Sequence, residues 1–263
     1  MQRPGAGPFT ARTPRVVAAR RLLRRRERDE AGRFLVEGPQ GVREALGASA
    51  VLELFATPAA LERHPDLAGK ASVITEDGLA ALAETVAPQG LVAVCAARDV
   101  PLAAALAARP RLVTVLAGIR DPGNAGTVLR TADAAGAGAV VFAGDAVDPY
   151  NGKCVRASAG SLFHVDLVRA ADPATVVREL RAAGLTVLAA DPYGAADLDE
   201  LADAGELDRP TAWLFGSEAH GLPGALADAA DLRVRVPLHG RAESLNLAAA
   251  AAVCLYASAR ALR

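Results

Sequence analysis

The chain has 263 residues, 52% hydrophobic and 22% charged, which is the composition of a soluble globular protein long enough to bury one large core or two modest ones. Its longest uncharged run, residues 244–259, falls short of the ~20 residues a membrane-spanning helix needs, and no secretory signal is visible. The net charge of −1 hides an asymmetry: residues 1–33 carry ten arginines against Glu27, Asp29 and Glu30, so the rest of the chain is acidic.

Residues 1–12 are rich in Pro, Gly and Arg and are expected to form a disordered tail. The arginine run that follows, with Arg20, Arg21 and Arg24 at its centre, is the electrostatic footprint of a polyanion partner, RNA or DNA. A solvated helix face is the alternative reading. The acidic residues inside the run argue against a transit peptide.

From 13 to 97, short apolar runs at 33–38, 51–57, 71–75 and 90–96 read as strands. Helical segments at 39–48 and 76–86 lie between them, which makes a small α/β module. A Pro- and Ala-rich linker, 98–110, precedes a second domain at 111–263. There, apolar strands at 111–118, 138–144, 185–191, 211–216 and 232–238 alternate with helices, and strand–helix alternation implies a mostly parallel sheet. Cys95, Cys154 and Cys254 are odd in number and lack CxxC spacing, so they read as free thiols of a reducing cytoplasm, with neither disulfide nor zinc site. His64, His164, His220 and His239 show no metal spacing either.

Three stretches carry chemistry. In "RDPGNAGTVLRTADAAG" (120–136), a glycine-punctuated loop opens a helix whose Val128, Leu129, Ala132 and Ala135 share one buried face. Arg130 lies off that face, and Asn124 is placed to cap the helix. The glycine spacing is wrong for a dinucleotide fingerprint, which removes a nicotinamide- or flavin-linked oxidoreductase. In "LFGSEAHGLP" (214–223), a strand runs into Gly216, Ser217 and Glu218, where open α/β sheets hold ligands. In "VPLHGRAESLNLAAAAAV" (236–253), Ser244 reads as the cap of a long apolar helix, and Asn246 as a polar residue inside it that needs partners.

Together and in this order, these motifs resemble the SpoU/TrmH-type RNA 2′-O-ribose methyltransferases of the SPOUT superfamily. The matching residues are Asn124, Gly126, Arg130 and Ala132; then Gly216, Ser217, Glu218 and Gly221; then Pro237, Gly240, Glu243, Ser244, Leu245 and Asn246. A further segment, 148–164, with Lys153, Arg156, Ser158 and Gly160, is similar to the family's stretch between its first two motifs. The resemblance covers about 111–261; Leu238 and Leu247 replace other apolar residues common there. More weakly, the N-terminal module is similar to the small ribosomal-protein-like substrate-binding domain that precedes many members.

The resemblance implies an α/β fold with a C-terminal deep trefoil knot, a homodimer, and S-adenosylmethionine held around Leu214, Gly216, Ser217, Val236, Leu238, Gly240, Leu245 and Asn246. It implies catalytic roles for Arg130, Asn124, Glu218, Ser244 and Asn246. Lys153 and Arg156 read as RNA phosphate contacts, with surface ion pairs as the equal alternative. A guanidinium with pKa above 12 is a poor base, so Arg130 suits stabilising an alkoxide or gripping a phosphate better than drawing off a proton. The reaction it points to is methyl transfer to a ribose 2′-hydroxyl in structured RNA, 23S-type ribosomal RNA before transfer RNA. A non-catalytic RNA-binding member of the fold is the competing reading.

Overall fold

The computed structural model describes residues 7–263 and divides into two compact units, one of residues up to 98 with 150–163, the other of 99–149 with 164–263. Along the chain the first unit holds α1 (Pro14–Arg21), α2 (Arg25–Ala31), β1 (Arg33–Glu37), α3 (Pro39–Gly47) and β2 (Val51–Ala56). It continues through α4 (Pro58–Arg63), β3 (Ser72–Val73), α5 (Glu76–Ala80) and β4 (Leu91–Ala96). The second opens with α6 (Leu102–Ala107), β5 (Leu112–Ala117), α7 (Pro122–Ala134) and β6 (Ala139–Ala143). After α8 (Gly152–Ser158), which returns to the first unit, come β7 (Asp166–Ala170), α9 (Pro173–Ala182), β8 (Thr186–Ala190) and β9 (Ala196–Asp197). The chain closes with α10 (Leu198–Asp203), β10 (Thr211–Phe215), α11 (Gly224–Asp228), β11 (Leu232–Arg235) and α12 (Leu247–Ala261).

The first unit is a four-stranded sheet in the order β1-β4-β2-β3, with β4 antiparallel to both neighbours. Strand β4 is buried almost throughout, as a central strand covered on both faces requires. Of the expected tail 1–12, residues 1–6 lie outside the described residues. Phe9 corrects the rest, because its N–H donates to the Val73 carbonyl (2.8 Å) and its own carbonyl accepts from Thr75 (2.8 Å). The phenyl ring packs on Phe55, centroid to centroid 6.2 Å. Hydrophobic burial and two sheet-like bonds outweigh the local Pro/Gly composition.

The arginine run forms α1 and α2, whose inward positions Val16, Ala19 and Leu22 are buried. Arg28 is buried as well, its guanidinium donating to the carbonyls of Leu22 (2.9 Å) and Leu23 (3.0 Å). Other arginines are paired along the surface: Arg21 with Glu27 (2.8 Å), and Arg26 with Glu30 (2.7 Å). Arg20 and Arg24 stand exposed.

The second unit is a seven-stranded, wholly parallel sheet in the order β7-β6-β5-β10-β8-β11-β9. All residues of β5, β6 and β10 are buried, which is why their sequences read as continuous apolar runs without alternation. Two strands escape the sequence reading. In β7 the exposed Arg169 interrupts the run, and β9 has only two residues. The expected linker 98–110 is not a free connector. Its Val100 donates to the Leu167 carbonyl (2.8 Å), and Ala105 of α6 is fully buried in the sheet's core. The order reverses between β5 and β10: from β5 the chain winds outward through β6 and β7, then crosses to build the other half. Ligand sites of open α/β sheets form at such a point, outside the carboxyl ends of the strands.

Candidate active site

Loops leaving the carboxyl ends of β8, β10 and β11, together with the start of α12, enclose a cavity of about 430 Å³. Gly216, Ser217, Glu218, Val236, Leu238, Ser244, Leu245 and Asn246 line it, as the motifs lead one to expect. Two nominated residues do not. Leu214 points into the core cluster of the sheet with no exposed surface, and Gly240 lies outside the lining. Sequence reasoning missed Ala190, Asp191 and Pro192 at the end of β8, as well as Phe215, Leu247 and Ala250. The strand at 185–191 ending in Asp-Pro was the available signal, because a strand terminus on this side of the sheet is where a ligand would sit.

The β10 loop is shaped by a glycine. Ser217 and Gly221 exchange both backbone hydrogen bonds (3.0 and 2.9 Å), folding the loop back on itself. A Cβ on Gly216 would stand 2.1 Å from the Gly221 carbonyl carbon and 2.3 Å from the Leu222 nitrogen, so no other residue fits without moving backbone. That tight return places Glu218 above the start of α7.

Asp121, and not Asn124, caps α7: its carboxylate accepts from the Asn124 backbone N–H at 2.7 Å, with Pro122 in the first turn. Two residues of the sequence could serve as cap, and the one before proline takes the position. The Asn124 side chain is thereby released. Its Nδ2 donates to Glu218 Oε1 (3.1 Å), and its Oδ1 accepts from Asn246 Nδ2 (3.2 Å). Glu218 also accepts from the backbone N–H groups of Arg120 (3.3 Å) and Asp121 (3.2 Å).

At the other end of this chain of bonds the sequence reading is again corrected. Asn246 is the N-cap of α12, its Oδ1 accepting from Ala248 N–H (2.9 Å), and the helix starts at Leu247. Ser244 precedes the cap and lines the cavity instead. A carboxamide has one acceptor and two donors, so Asn246 can cap its helix and still reach Asn124, which a serine hydroxyl at that position would not do.

Partial burial pushes the Glu218 carboxyl upward, but the Asn124 amide and the surrounding backbone N–H groups outweigh it and hold the group below the usual carboxylate range. Glu218 is therefore an ionised acceptor at neutral pH. Arg130, two turns further along α7, is exposed and makes no hydrogen bond or ion pair among the described residues. Six residues of helix separate it from Asn124 by about 9 Å along the axis. Its neighbours Val128, Leu129 and Ala132 hold the helix to the core.

The remaining nominations lie elsewhere. Arg156 sits in the first unit, its guanidinium bonded to Glu37 (2.9 Å) and Glu84 (3.2 Å), while Lys153 is exposed on the same short helix. His220 and His239 are exposed and outside the cavity lining. Among the described residues, no cluster of His, Cys, Asp and Glu could hold a metal ion, and no helix is long and apolar enough to cross a membrane.

Comparison with known proteins gives this geometry a context. The model of the SpoU rRNA Methylase family matches residues 111–256, and that of an MRM3-like substrate binding domain matches residues 13–93. The 23S rRNA (guanosine(2553)-2′-O)-methyltransferase RlmP of Bacillus subtilis is 35% identical over 249 residues, covering 94% of this chain and 96% of that protein. An AdoMet-bound rRNA methyltransferase from Sinorhizobium meliloti superposes with a TM-score of 0.79 at 31% identity, over 96% of each chain. The AdoMet complex of the SpoU methyltransferase AviRb from Streptomyces viridochromogenes gives 0.78 at 32% identity, over 95% of this chain and 98% of that one.

Proposed function

The chain belongs to the SpoU rRNA methylase family, and from that premise we propose how its own residues divide the work of methylating an RNA ribose. It is an S-adenosylmethionine-dependent RNA ribose 2′-O-methyltransferase. The observation that carries the assignment of roles is the continuous bonding from Asn246 through Asn124 to Glu218 at the edge of the cavity.

The cavity fits the methyl donor. Its volume of about 430 Å³ lies within the range of small-molecule sites. Leu238 and Leu245, each 38% exposed, offer apolar surface for an adenine to cover, and Gly216 and Ser217 line the wall beside them. When bound, S-adenosylmethionine supplies an electrophilic methyl group carried on a sulfonium.

The protein's part is to bring a ribose hydroxyl to that position and to favour its loss of a proton. Asn124 is held by partners on both sides, so its amide is fixed before any substrate arrives, and such preorganisation costs nothing at the moment of reaction. Arg130 stays cationic throughout and has no competing anion, which suits it to stabilise negative charge on the 2′-oxygen or to grip the adjacent phosphate. Ser244 and Asn246 shape the wall between donor and acceptor sites.

Ribosomal RNA of the 23S type is the favoured target. The named activity of the Bacillus subtilis relative supports it, as do the exposed Arg20 and Arg24. The matched substrate-binding domain, with its basic α1 and α2, is the element that would recognise RNA away from the reacting ribose. The loops around the cavity and α12 are where the family's trefoil knot belongs. The exposed Val253 (44%) and Tyr256 (51%) on α12 support a homodimer packed through that helix. A ribosomal RNA target is consistent with action in the cytoplasm. The test is to map 2′-O-methyl groups in ribosomal RNA with and without this gene product. A single 23S nucleotide that loses its mark is the expected result, and an unchanged ribosomal RNA with a changed transfer RNA redirects the target.

A further inference from the structure

Beside the cavity the loop between β8 and β9 presents Tyr193 with 89% of its surface exposed. An aromatic ring left in water on a floppy tip would need no explanation, but this loop is fastened down. Asp191 ties its start: the Asp191 N–H donates to the Val234 carbonyl (2.9 Å), its Oδ1 accepts from the Tyr193 N–H (2.9 Å), and its carbonyl accepts from Gly194 N–H (2.9 Å). Two arginines of β11 clamp the rest. Arg233 binds the Asp191 carboxylate through Nε (2.8 Å) and Nη2 (2.6 Å), and Arg235 donates to the carbonyls of Gly194 (3.2 Å) and Ala195 (3.0 Å). Gly194 lies so close to β11 that a Cβ there would meet the Arg233 carbonyl oxygen at 2.5 Å.

Asp191 and Pro192, the two residues before the ring, line the donor cavity. The ring is therefore carried at the rim of the site on a braced loop, while its neighbours in the fold are charged: Asp191, Arg233, Arg235 and Asp197. A subunit interface is built around a contiguous apolar core, which one ring among ion pairs does not supply. A nucleobase needs only one flat, accessible aromatic face, and single-stranded nucleic acid is bound by such isolated rings with arginines nearby.

We propose that Tyr193 is a stacking platform for an unpaired base of the substrate RNA, holding the strand so that the target ribose lies over the donor cavity. The proposal rests on the RNA methyl-transfer reading above. Stacking uses the ring and not the hydroxyl, so the two variants that matter are Tyr193→Ala and Tyr193→Phe. Tyr193 is a positioning residue, and its removal acts on RNA binding, leaving the methyl donor's site intact.

The test uses the full chain, deproteinised 23S ribosomal RNA from cells lacking this gene, and S-adenosylmethionine with a tritiated methyl group. Tyr193→Ala is expected to raise the KM for RNA about tenfold, with kcat changed far less. Tyr193→Phe is expected to stay near the parent, and the donor's affinity by calorimetry is expected to be the same in all three proteins. An unchanged KM in the alanine variant overturns the proposal while leaving the methyltransferase reading intact. A parent protein that binds the donor but transfers nothing to any RNA overturns both. A change in solution mass of the alanine variant, at constant KM, shows a subunit contact and overturns the stacking role.

Discussion

Asn246 Nδ2 donates to Asn124 Oδ1 at 3.2 Å although the two stand 122 positions apart in the chain. This one bond joins the first turn of α7 to the cap of α12, two helices that pack on each other beside β10. In the proposed division of roles it ties the side of the site that receives the ribose to the side that holds the methyl donor. Asn246→Ala is expected to lose both this bond and the α12 cap, costing about 1 kcal/mol of stability from the cap. The methyl-transfer rate should fall by more than that loss explains, which comparison of melting curves with initial rates would show.

Glu218 gives a pH-dependent prediction whose sign follows from its environment. Its folded-state pKa lies below the ordinary 4.5, so the stabilisation it contributes is fully present above 4.5 and is lost as pH falls through the lower folded value. Glu218→Gln should therefore be less stable than the parent at neutral pH, with the gap closing on acidification. Urea unfolding across pH 3 to 7, roughly the window in which a carboxyl titrates, measures it. A gap that persists unchanged at the acid end would rule out the carboxylate as its source.

Arg130 is exposed and unbonded, so its removal should not disturb the fold. Arg130→Ala is expected to lower turnover by roughly a hundredfold or more, the scale of losing one preorganised charge-stabilising donor. Donor affinity should stay near the parent. Arg130→Lys separates the two modes of action, because a lysine keeps the charge and loses the planar fork.

Gly216→Ala puts a methyl group into the backbone of Gly221 and Leu222. Overpacking of this kind costs about 1–3 kcal/mol and would open the β10 loop. Calorimetry should find donor binding weakened at least tenfold, alongside a lower melting temperature. An alanine protein that binds the donor normally would show that the loop can relax without loss.

Burial pushes the Cys95 and Cys254 thiols up to about 12, far from the thiolate that reacts. Neither should be alkylated by iodoacetamide in the native protein at pH 8, and both should react once it is unfolded. Mass spectrometry of the two samples distinguishes the states.

Much of this was legible before any coordinates. The apolar runs that become β5, β6 and β10 are unmistakable because a parallel sheet buries both faces of its strands. The residues around the cavity could be named because three collinear stretches resemble those of one family; the Gly216, Ser217 and Glu218 turn taken alone also reads as an ordinary strand-to-helix turn. The helix caps could not. Asp121 competes with Asn124, and Ser244 with Asn246, for the same backbone N–H groups, and local chemistry permits either of each pair. Tertiary bonding decides: Asn124, relieved of the cap by Asp121, reaches Glu218, and the Asn246 amide caps α12 through its oxygen while its nitrogen reaches Asn124. The braced Tyr193 was hidden for a related reason: its fasteners, Arg233 and Arg235, lie some forty residues away in sequence.

The central claim is tested most directly by incubating ribosomal RNA from cells lacking the gene with S-adenosylmethionine and either the parent protein or Arg130→Ala, and locating new methyl groups by mass spectrometry. The account predicts one 23S nucleotide methylated on its ribose 2′-oxygen by the parent, and none detectable with the variant although it still binds the donor. A methyl group found on a base, or an Arg130→Ala protein as active as the parent, would contradict it.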